Sequence, residues 1–168
     1  MDIAGITLKL TEMGGSYNGK VITVEVYSDK WNEILAENKL DSYSIDSIIF
    51  NNTVEDDVDI WFSGDVPLTE LTNTLKLLKE LTDEDTLYIG AYEEAFGIEN
   101  MVELVDLIRE KLNLMTFYKN SSIDDVAVSL LEDYDLPYEI LRCVDISRYC
   151  DWLQDNGYTE TLYGVIVQ

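Results

Sequence analysis

The spacing of apolar residues in the first third of the chain is typical of short strands with one helix. Four apolar or alternating stretches predict strands, over residues 6–10, 21–26, 43–50 and 58–62. A glycine-rich stretch separates the first two and predicts a loop. Ser28 is placed to cap a helix from Asp29 to about Lys39. Residues 1–65 therefore predict an N-terminal α+β lobe with a small antiparallel sheet.

The middle of the chain has helical periodicity instead. Pro67 suits the first turn of a helix, and leucines follow it at helical spacing. Thr82 caps the next predicted helix, whose first turn is acidic, as the helix dipole favours. After Gly97, residues 98–112 predict a third helix. Residues 66–113 therefore predict a central helical lobe.

The last third returns to a mixture of strands and helices. Three short stretches predict strands over residues 114–118, 158–161 and 164–167. Ser122 and Asp125 predict a capping box at the start of a helix over 123–134, and apolar residues at helical spacing predict another helix over 146–153. Residues 114–168 therefore predict a C-terminal α+β lobe, and the whole chain an α+β fold of three small lobes.

The final predicted strand is apolar over consecutive positions. If it lies at the edge of a sheet, its unpaired backbone would favour pairing with another chain. We therefore predict a homodimer whose interface contains Tyr158, Leu162, Val165, Ile166 and Val167. The alternative is that this strand pairs inside its own lobe.

The predicted helix over residues 98–112 carries four acids at intervals of four, three and four residues: Glu99, Glu103, Asp106 and Glu110. At about 100° per residue they would project within roughly 60° of each other, opposite a wide apolar face. Their axial spacing of about 4.5–6 Å is comparable to the spacing of phosphates along one DNA strand. Like charges at this spacing cost a helix about 0.2–0.5 kcal/mol per pair, so the row is unusual for stability alone. A solvated face on an acidic protein is the alternative.

The charge of the whole chain extends this pattern. There are 34 acidic and 11 basic residues, a net charge of −23. Residues 1–39 carry six acids and four bases, whereas residues 40–168 carry 28 acids and seven bases. Such a chain repels nucleic acid and anionic lipid, so we expect a basic partner. We predict that the four-acid row and six further carboxylates bind it: Glu93, Glu94, Asp124, Asp125, Glu132 and Asp133. Halophilic adaptation would give similar totals.

The residues usually needed for catalysis or cofactor binding are scarce. Histidine is absent, which removes the commonest general base and a common metal ligand. No segment matches a phosphate-binding loop or a calcium-binding loop. We therefore predict no enzyme activity, no cofactor and no metal site. No apolar run is long enough to span a membrane, and the first residues lack the pattern of a signal peptide, so a cytoplasmic protein is expected.

Short segments spread over nearly the whole chain carry a resemblance to a known family. They are Tyr17-Asn18-Gly19, Tyr43-Ser44-Ile45-Asp46-Ser47, Leu68-Thr69-Glu70-Leu71, Thr116-Phe117-Tyr118, Asp124-Asp125-Val126-Ala127, Val144-Asp145-Ile146-Ser147-Arg148-Tyr149, and Asn156-Gly157 with Gly164-Val165-Ile166. In order and spacing they resemble the ArdA antirestriction proteins of conjugative plasmids and transposons. The family's Gly-Arg-Asp is replaced by Cys150-Asp151-Trp152, and its histidine after Ile45 is missing.

The resemblance implies an elongated, three-lobed protein that dimerises through its C-terminal lobe into a curved acidic rod. It also implies a DNA mimic that blocks the DNA-binding groove of type I restriction-modification enzymes, without cofactor or catalysis. Three alternatives remain open. The same surface could inhibit another DNA-handling enzyme, such as a CRISPR nuclease, or a nucleoid protein. The chain could instead be a carboxylate-based metalloenzyme or cation-binding protein, or an acidic protein whose charge serves only solubility.

Overall fold

The structure, a computed structural model, describes residues 6–12, 21–26, 28–51, 57–111, 115–134 and 136–168. Its elements in chain order are β1 (Ile6–Glu12), β2 (Val21–Glu25), α1 (Asp29–Ala36), a 3₁₀ turn (Lys39–Ser42), β3 (Tyr43–Phe50), β4 (Val58–Pro67), α2 (Leu68–Glu80), α3 (Asp83–Phe96), α4 (Met101–Asp106), a π-helical segment (Leu107–Lys111), β5 (Thr116–Lys119), α5 (Ile123–Asp133), α6 (Tyr138–Leu141), α7 (Ile146–Asp155), β6 (Tyr158–Thr161) and β7 (Gly164–Val167). The α+β fold class is therefore confirmed. The predicted glycine-rich loop and Tyr17-Asn18-Gly19 lie outside the described residues.

A four-stranded antiparallel sheet, in the order β2-β1-β3-β4, forms one side of the first core. Leu8 lies opposite Ile48, and Ile48 lies opposite Ile60, so aliphatic residues from three neighbouring strands align on one face. All three are fully buried. Strand residues alternate between the two faces of a sheet, so this register gives one apolar face for the helices to cover.

The first core includes residues of α1, which lies between β2 and β3, and of α2, α3 and α4, which follow β4. Trp31 of α1, Leu71 of α2, Ile89 of α3 and Leu104 of α4 belong to the same buried cluster as the sheet residues. The predicted lobe boundary after residue 65 falls within β4, which runs from Val58 to Pro67. The predicted N-terminal and central lobes therefore share one hydrophobic core, because the helices pack on the apolar face of the sheet.

The second sheet has the order β5-β7-β6, and all its pairs are antiparallel. The predicted sheet-edge position of the last strand is therefore wrong, since β7 is the central strand. Val165 belongs to the second core, whereas the next residue, Ile166, belongs to the first. Consecutive residues of a strand point to opposite faces, so this apolar run is explained by burial on both faces rather than by an unpaired edge.

Helices α5 and α7 cover the outer face of the second sheet. The buried residues of this second core are Ile123, Val126, Ala127, Cys150, Leu153 and Val165. Gly164 begins β7 with a φ of +138°, and a Cβ there would lie 2.2 Å from the backbone oxygen of Tyr118. Only glycine fits at this position, because its missing side chain lets β7 approach β5.

Three predicted helix starts are confirmed by hydrogen bonds. Ser28 caps α1, and capping boxes of Thr82 with Asp85 and of Ser122 with Asp125 begin α3 and α5. Each carboxylate in these boxes accepts the backbone N–H of its capping residue, which satisfies a donor that the helix leaves free.

The predicted helix over residues 98–112 differs from the observed segment at both ends. It begins only at Met101, because Asn100 is the N-cap and its side chain accepts the backbone N–H of Glu103. The segment Leu107–Lys111 that follows is π-helical.

Within the parts of the chain that the structure describes, no helix is both long and apolar enough to cross a membrane.

Candidate partner-binding surface

The first pair of predicted partner-binding carboxylates lies near the end of α3, and both contact the protein itself. Glu93 is half-buried and accepts a hydrogen bond from the backbone N–H of Ile98, on the far side of Gly97. Burial raises the pKa of Glu93, in opposition to that hydrogen bond, and the nearby charge of Glu103 raises it further. Its Oε2 atom is buried and has no hydrogen-bond partner among the described residues. Glu93 is therefore poorly placed to contact a partner directly.

Glu94 links two distant parts of the chain. Its Oε2 accepts a hydrogen bond of 2.8 Å from the backbone N–H of Leu162, in the turn between β6 and β7. The side chain of Glu94 is nonetheless exposed. The carboxylate therefore has a structural contact through one oxygen and faces solvent at the end of α3.

The four-acid row predicted from the sequence is interrupted in the structure. Glu99 lies before the helix, and its backbone N–H donates to Glu103 Oε2 at 2.8 Å, so Glu103 helps to cap α4. Asp106 ends the α-helical part, and Glu110 lies in the π-helical segment. Because a π-helix has more residues per turn than an α-helix, the uniform angular spacing behind the predicted row is wrong beyond Asp106. All four acids are nevertheless exposed.

The remaining predicted carboxylates lie at the two ends of α5. Asp124 accepts a hydrogen bond of 3.4 Å from the thiol of Cys150 on α7. Hydrogen bonds from the hydroxyl and the backbone N–H of Ser122 lower the pKa of Asp125. Glu132 and Asp133 are exposed at the opposite end of this 11-residue helix. The acids of α5 therefore form two groups separated by the length of the helix.

The β6–β7 turn lies between the acids at the end of α3 and those at the beginning of α5. Leu162 contacts Glu94 on one side and helps to line a surface cavity of about 380 Å³ on the other. Ser122, the capping residue of α5, and Glu160 also line this cavity. Sequence reasoning did not include Glu160, since a single acid in a short predicted strand gives no signal without its neighbours.

Several of these carboxylates have no counter-ion within the part of the chain that the structure describes. The described residues include an ion pair between Lys39 and Glu37, which lie two residues apart and outside the predicted surface. In the same described parts of the chain, Asp106, Glu110 and Glu132 have neither a hydrogen bond nor an ion pair through their side chains. Their charges are therefore available to an external cation.

The five residues of the predicted dimer interface are not equally accessible. Val165 and Ile166 are completely buried inside the chain, so they cannot contact a second copy in this fold. Tyr158 and Val167 are half-buried. Leu162 projects from the β6–β7 turn and is the only one of the five that is fully exposed.

A second surface cavity and the search for metal-ligand clusters give less indication of a function. A cavity of about 520 Å³ between the end of α2 and β5 is lined by both signs of charge, including Lys79, Glu80, Asp83 and Lys119. Among the residues that the structure describes, no group of three or more cysteine, aspartate or glutamate side chains could hold a metal ion. Neither feature points to a specific chemical reaction.

Sequence reasoning also missed a cluster of aromatic residues in the C-terminal region. The rings of Tyr149 and Trp152 are nearly parallel, with centroids 5.8 Å apart. Tyr118 and Tyr158 stack in the same way at 6.4 Å. The spacing of Tyr149 and Trp152, three residues apart on a helix, was a usable signal because such residues share a face. The proximity of Tyr118 and Tyr158 could not be found without knowing that β5 and β6 both pair with β7.

The chain matches no known family model, and no curated protein matches it.

Proposed function

We propose that this protein is an acidic DNA mimic that occupies the DNA-binding groove of a type I restriction-modification enzyme and blocks it. The observation that carries the proposal is a set of exposed carboxylates that have no counter-ion among the described residues, Asp106, Glu110 and Glu132, in a chain with a net charge of −23. The resemblance to the ArdA proteins suggests the target class and a homodimer, and we propose a cytoplasmic site of action because the first residues lack the pattern of a signal peptide.

The physical basis is the composition of DNA-binding grooves. Such grooves hold Lys and Arg side chains placed for phosphate oxygens, and these contacts fix position without reading sequence. Carboxylates can satisfy the same side chains while offering no phosphodiester bond to cleave. Binding to such a groove should weaken as salt rises, because counter-ions are released when the charges meet.

The internal hydrogen bonds and the burial of the ten predicted carboxylates change which of them are assigned to the partner-binding surface. Seven exposed acids form its proposed contact set: Glu94, Glu99, Glu103, Asp106, Glu110, Glu132 and Asp133. Glu93 supports the α3–α4 junction instead, since its second oxygen is buried. Asp124 and Asp125, both exposed, extend the set at the beginning of α5, where each also has an internal hydrogen bond.

The decisive experiment compares two triple variants that change the net charge equally. The test variant combines Asp106→Asn, Glu110→Gln and Glu132→Gln; its matched control combines Glu25→Gln, Glu33→Gln and Glu70→Gln, three exposed acids outside the proposed set. Displacement of a fluorescent duplex from a purified type I enzyme gives the inhibition constant. We expect inhibition by the test variant to weaken about tenfold, from three charge contacts of about 0.2–1 kcal/mol each, and inhibition by the control to change much less.

Three results would contradict the proposal. Equal weakening by both triple variants would mean that only total charge matters. A single Glu→Gln change that abolishes inhibition in a folded protein would mean that the contact is not distributed over many charges. Failure of the wild-type protein to displace DNA from any type I enzyme would remove this target, and parallel assays with a CRISPR nuclease and a nucleoid protein would then identify another DNA-handling target.

Cation binding is separated from mimicry by calorimetric titration with calcium, magnesium and manganese. We expect no tight stoichiometric site, because each of the three carboxylates that carry the proposal belongs to no metal-ligand cluster in the described regions. A stoichiometric site would favour a cation-binding protein instead. The homodimer is tested independently by sedimentation, with Leu162→Asp as the variant expected to disrupt it.

A further inference from the structure

Five aromatic side chains from four elements meet on one side of the C-terminal region. They form what we call the aromatic cluster: Tyr118 of β5, Tyr134 at the end of α5, Tyr149 and Trp152 of α7, and Tyr158 of β6. Two stacked ring pairs make up most of it, at centroid distances of 6.4 and 5.8 Å. Tyr149 lies close enough to Tyr118, Tyr134 and Tyr158 for each of them to raise its pKa, so the two ring pairs and Tyr134 are near one another.

Three residues of the aromatic cluster are half-buried, and the other two are exposed. Tyr118, Tyr149 and Tyr158 are half-buried and pack against the second core. Trp152 and Tyr134 remain 54% and 69% exposed. The packed residues hold the rings in place, whereas the exposed pair offers aromatic surface to a partner, and Trp and Tyr are the residues most enriched at the centres of protein interfaces.

The chemistry of the aromatic cluster favours a cation. The faces of Tyr and Trp rings are electron-rich and attract cations. Burial raises the pKa of both Tyr118 and Tyr149. Asp133 lies close enough to Tyr118 to raise its pKa further. The region from 115 to 168 carries ten acidic and three basic residues, which gives the surroundings a strongly negative potential.

The same charge argues against a second copy of this chain as the occupant. A second copy would bring equally acidic residues to the aromatic cluster, so the electrostatics of this surface favour a basic occupant, whereas the proposed dimer contact is at Leu162 in the β6–β7 turn. A basic partner gains from both the charge and the rings. Arg142 already lies 5.7 Å from the ring of Tyr138, which is a guanidinium–aromatic contact in the same region.

We propose that the aromatic cluster binds an arginine side chain of a basic protein partner. A guanidinium is planar, stacks on aromatic faces and donates several hydrogen bonds to phenol and carboxylate oxygens, whereas an ammonium is compact and strongly hydrated. The site therefore selects arginine over lysine, which charge alone does not do. This inference rests on the proposed function in that both require a basic partner. It gives that partner a second contact, with uncharged aromatic rings, beside the contacts with the acidic surface.

The test uses neutral substitutions in the full-length protein, so that the net charge stays at −23. Trp152→Ala removes the exposed ring of the aromatic cluster. Trp61→Ala is the matched control, since Trp61 is 51% exposed, lies on β4 of the other sheet and contacts Lys9 at 4.1 Å. The probes are deca-arginine and deca-lysine peptides of equal charge, titrated by calorimetry at physiological ionic strength. Circular dichroism and urea unfolding check that each variant is folded.

The wild-type protein and Trp61→Ala are expected to bind deca-arginine more tightly than deca-lysine. Trp152→Ala should weaken deca-arginine binding about two- to fivefold, as expected for one exposed cation–π contact, and leave deca-lysine binding nearly unchanged. Trp152→Phe should restore most of the preference because it keeps an aromatic face. If Trp152→Ala disturbs folding, Tyr134→Leu, which removes the other exposed ring, provides the same comparison.

The inference is overturned if deca-lysine and deca-arginine are affected equally, if Trp61→Ala has the same effect as Trp152→Ala, or if neither exposed ring matters. These outcomes are independent of the proposed function. A protein that fails to displace DNA from its target but shows a Trp152-dependent arginine preference contradicts only the mimicry proposal. A protein that displaces DNA without that preference contradicts only the present inference.

Discussion

The first core, which includes a four-stranded sheet, completely or almost completely buries the aromatic residues Trp31, Phe50 and Tyr88. The second core contains six buried residues among those that the structure describes, and it leaves Trp152 and Tyr134 largely exposed. A core of that size stabilises little by itself, since small domains bury a smaller fraction of their surface. The second region is therefore expected to depend on β7, which contributes residues to both cores.

Within each region, individual acids have different roles. At the α3–α4 junction, Glu93, Glu94 and Glu103 accept backbone hydrogen bonds and so help to hold the chain. At the far end of α5, Glu132 has no side-chain partner among the described residues. Carboxylates of one chemical type thus divide into some that maintain the fold and others that are available to a partner, and this division can be tested by mutation.

The largest effect is expected from Gly164→Ala, which attacks the connection between the two regions. The new Cβ would lie 2.2 Å from the Tyr118 backbone oxygen at a φ of +138°, so β7 must move away from β5. We expect a loss of at least about 3 kcal/mol in the free energy of unfolding, measured by urea denaturation. Gly97→Ala is the control, because its φ is +78° but nothing lies within 4 Å of the new atom. Equal losses in the two variants would contradict the close approach of β7 to β5.

The next largest effect should come from Ile166→Ala. This residue is fully buried and belongs to the first core, although it lies in the second sheet. We expect a loss of about 2–5 kcal/mol and reduced protection of backbone amides in both β3 and α5 by hydrogen exchange. Val126→Ala, in the second core alone, should reduce protection mainly in α5 and α7. Unchanged protection of β3 in Ile166→Ala would mean that the cores are independent.

A smaller effect is expected from Glu94→Ala. It removes the acceptor of the Leu162 backbone N–H, and we expect a loss of about 1 kcal/mol in the free energy of unfolding. Glu110→Ala removes an exposed acid without a side-chain partner in the described structure, so its stability should change by less than about 0.5 kcal/mol. If the two variants have equal stability, the structural role assigned to Glu94 is incorrect.

The smallest effects are opposite pH dependences of two carboxylates, one in each region. Burial raises the pKa of Glu93, so wild type should lose stability relative to Glu93→Gln as pH rises from about 4.5 through the raised pKa. Hydrogen bonds from Ser122 lower the pKa of Asp125, so wild type should lose stability relative to Asp125→Asn as pH falls from about 3.8 through the lowered pKa. Urea unfolding across this pH range measures both differences, and slopes of the same sign would contradict the assignment.

Local features were predictable from the sequence because they depend on neighbouring residues. The helix starts at Ser28, Thr82 and Ser122 were identified from the capping residue and the acid or apolar pattern that follows it. Most strand positions followed from alternation. The start of α4 was missed because Asn100 is an equally good capping residue inside an apparently continuous helical pattern.

The candidate surface was predictable in composition but only partly in arrangement. The excess of acids on residues 40–168 was evident from the sequence and favours a basic partner. The interruption of the row by a π-helical segment was not evident, because α- and π-helical turns have similar apolar patterns over five residues. Nor could the sequence indicate that Glu94 would meet Leu162, 68 positions away.

What the sequence determined by itself was the position of most strands, three helix starts, and the sign and size of the charge, since these depend on residue identity and short-range spacing. Tertiary structure alone decided that β7 is a central strand, that Val165 and Ile166 enter different cores, and which carboxylates are engaged in internal contacts. The physical reason is that strand pairing and side-chain burial depend on residues far apart in the chain. An apolar run is equally consistent with an unpaired edge and with burial on both faces until its neighbours are known.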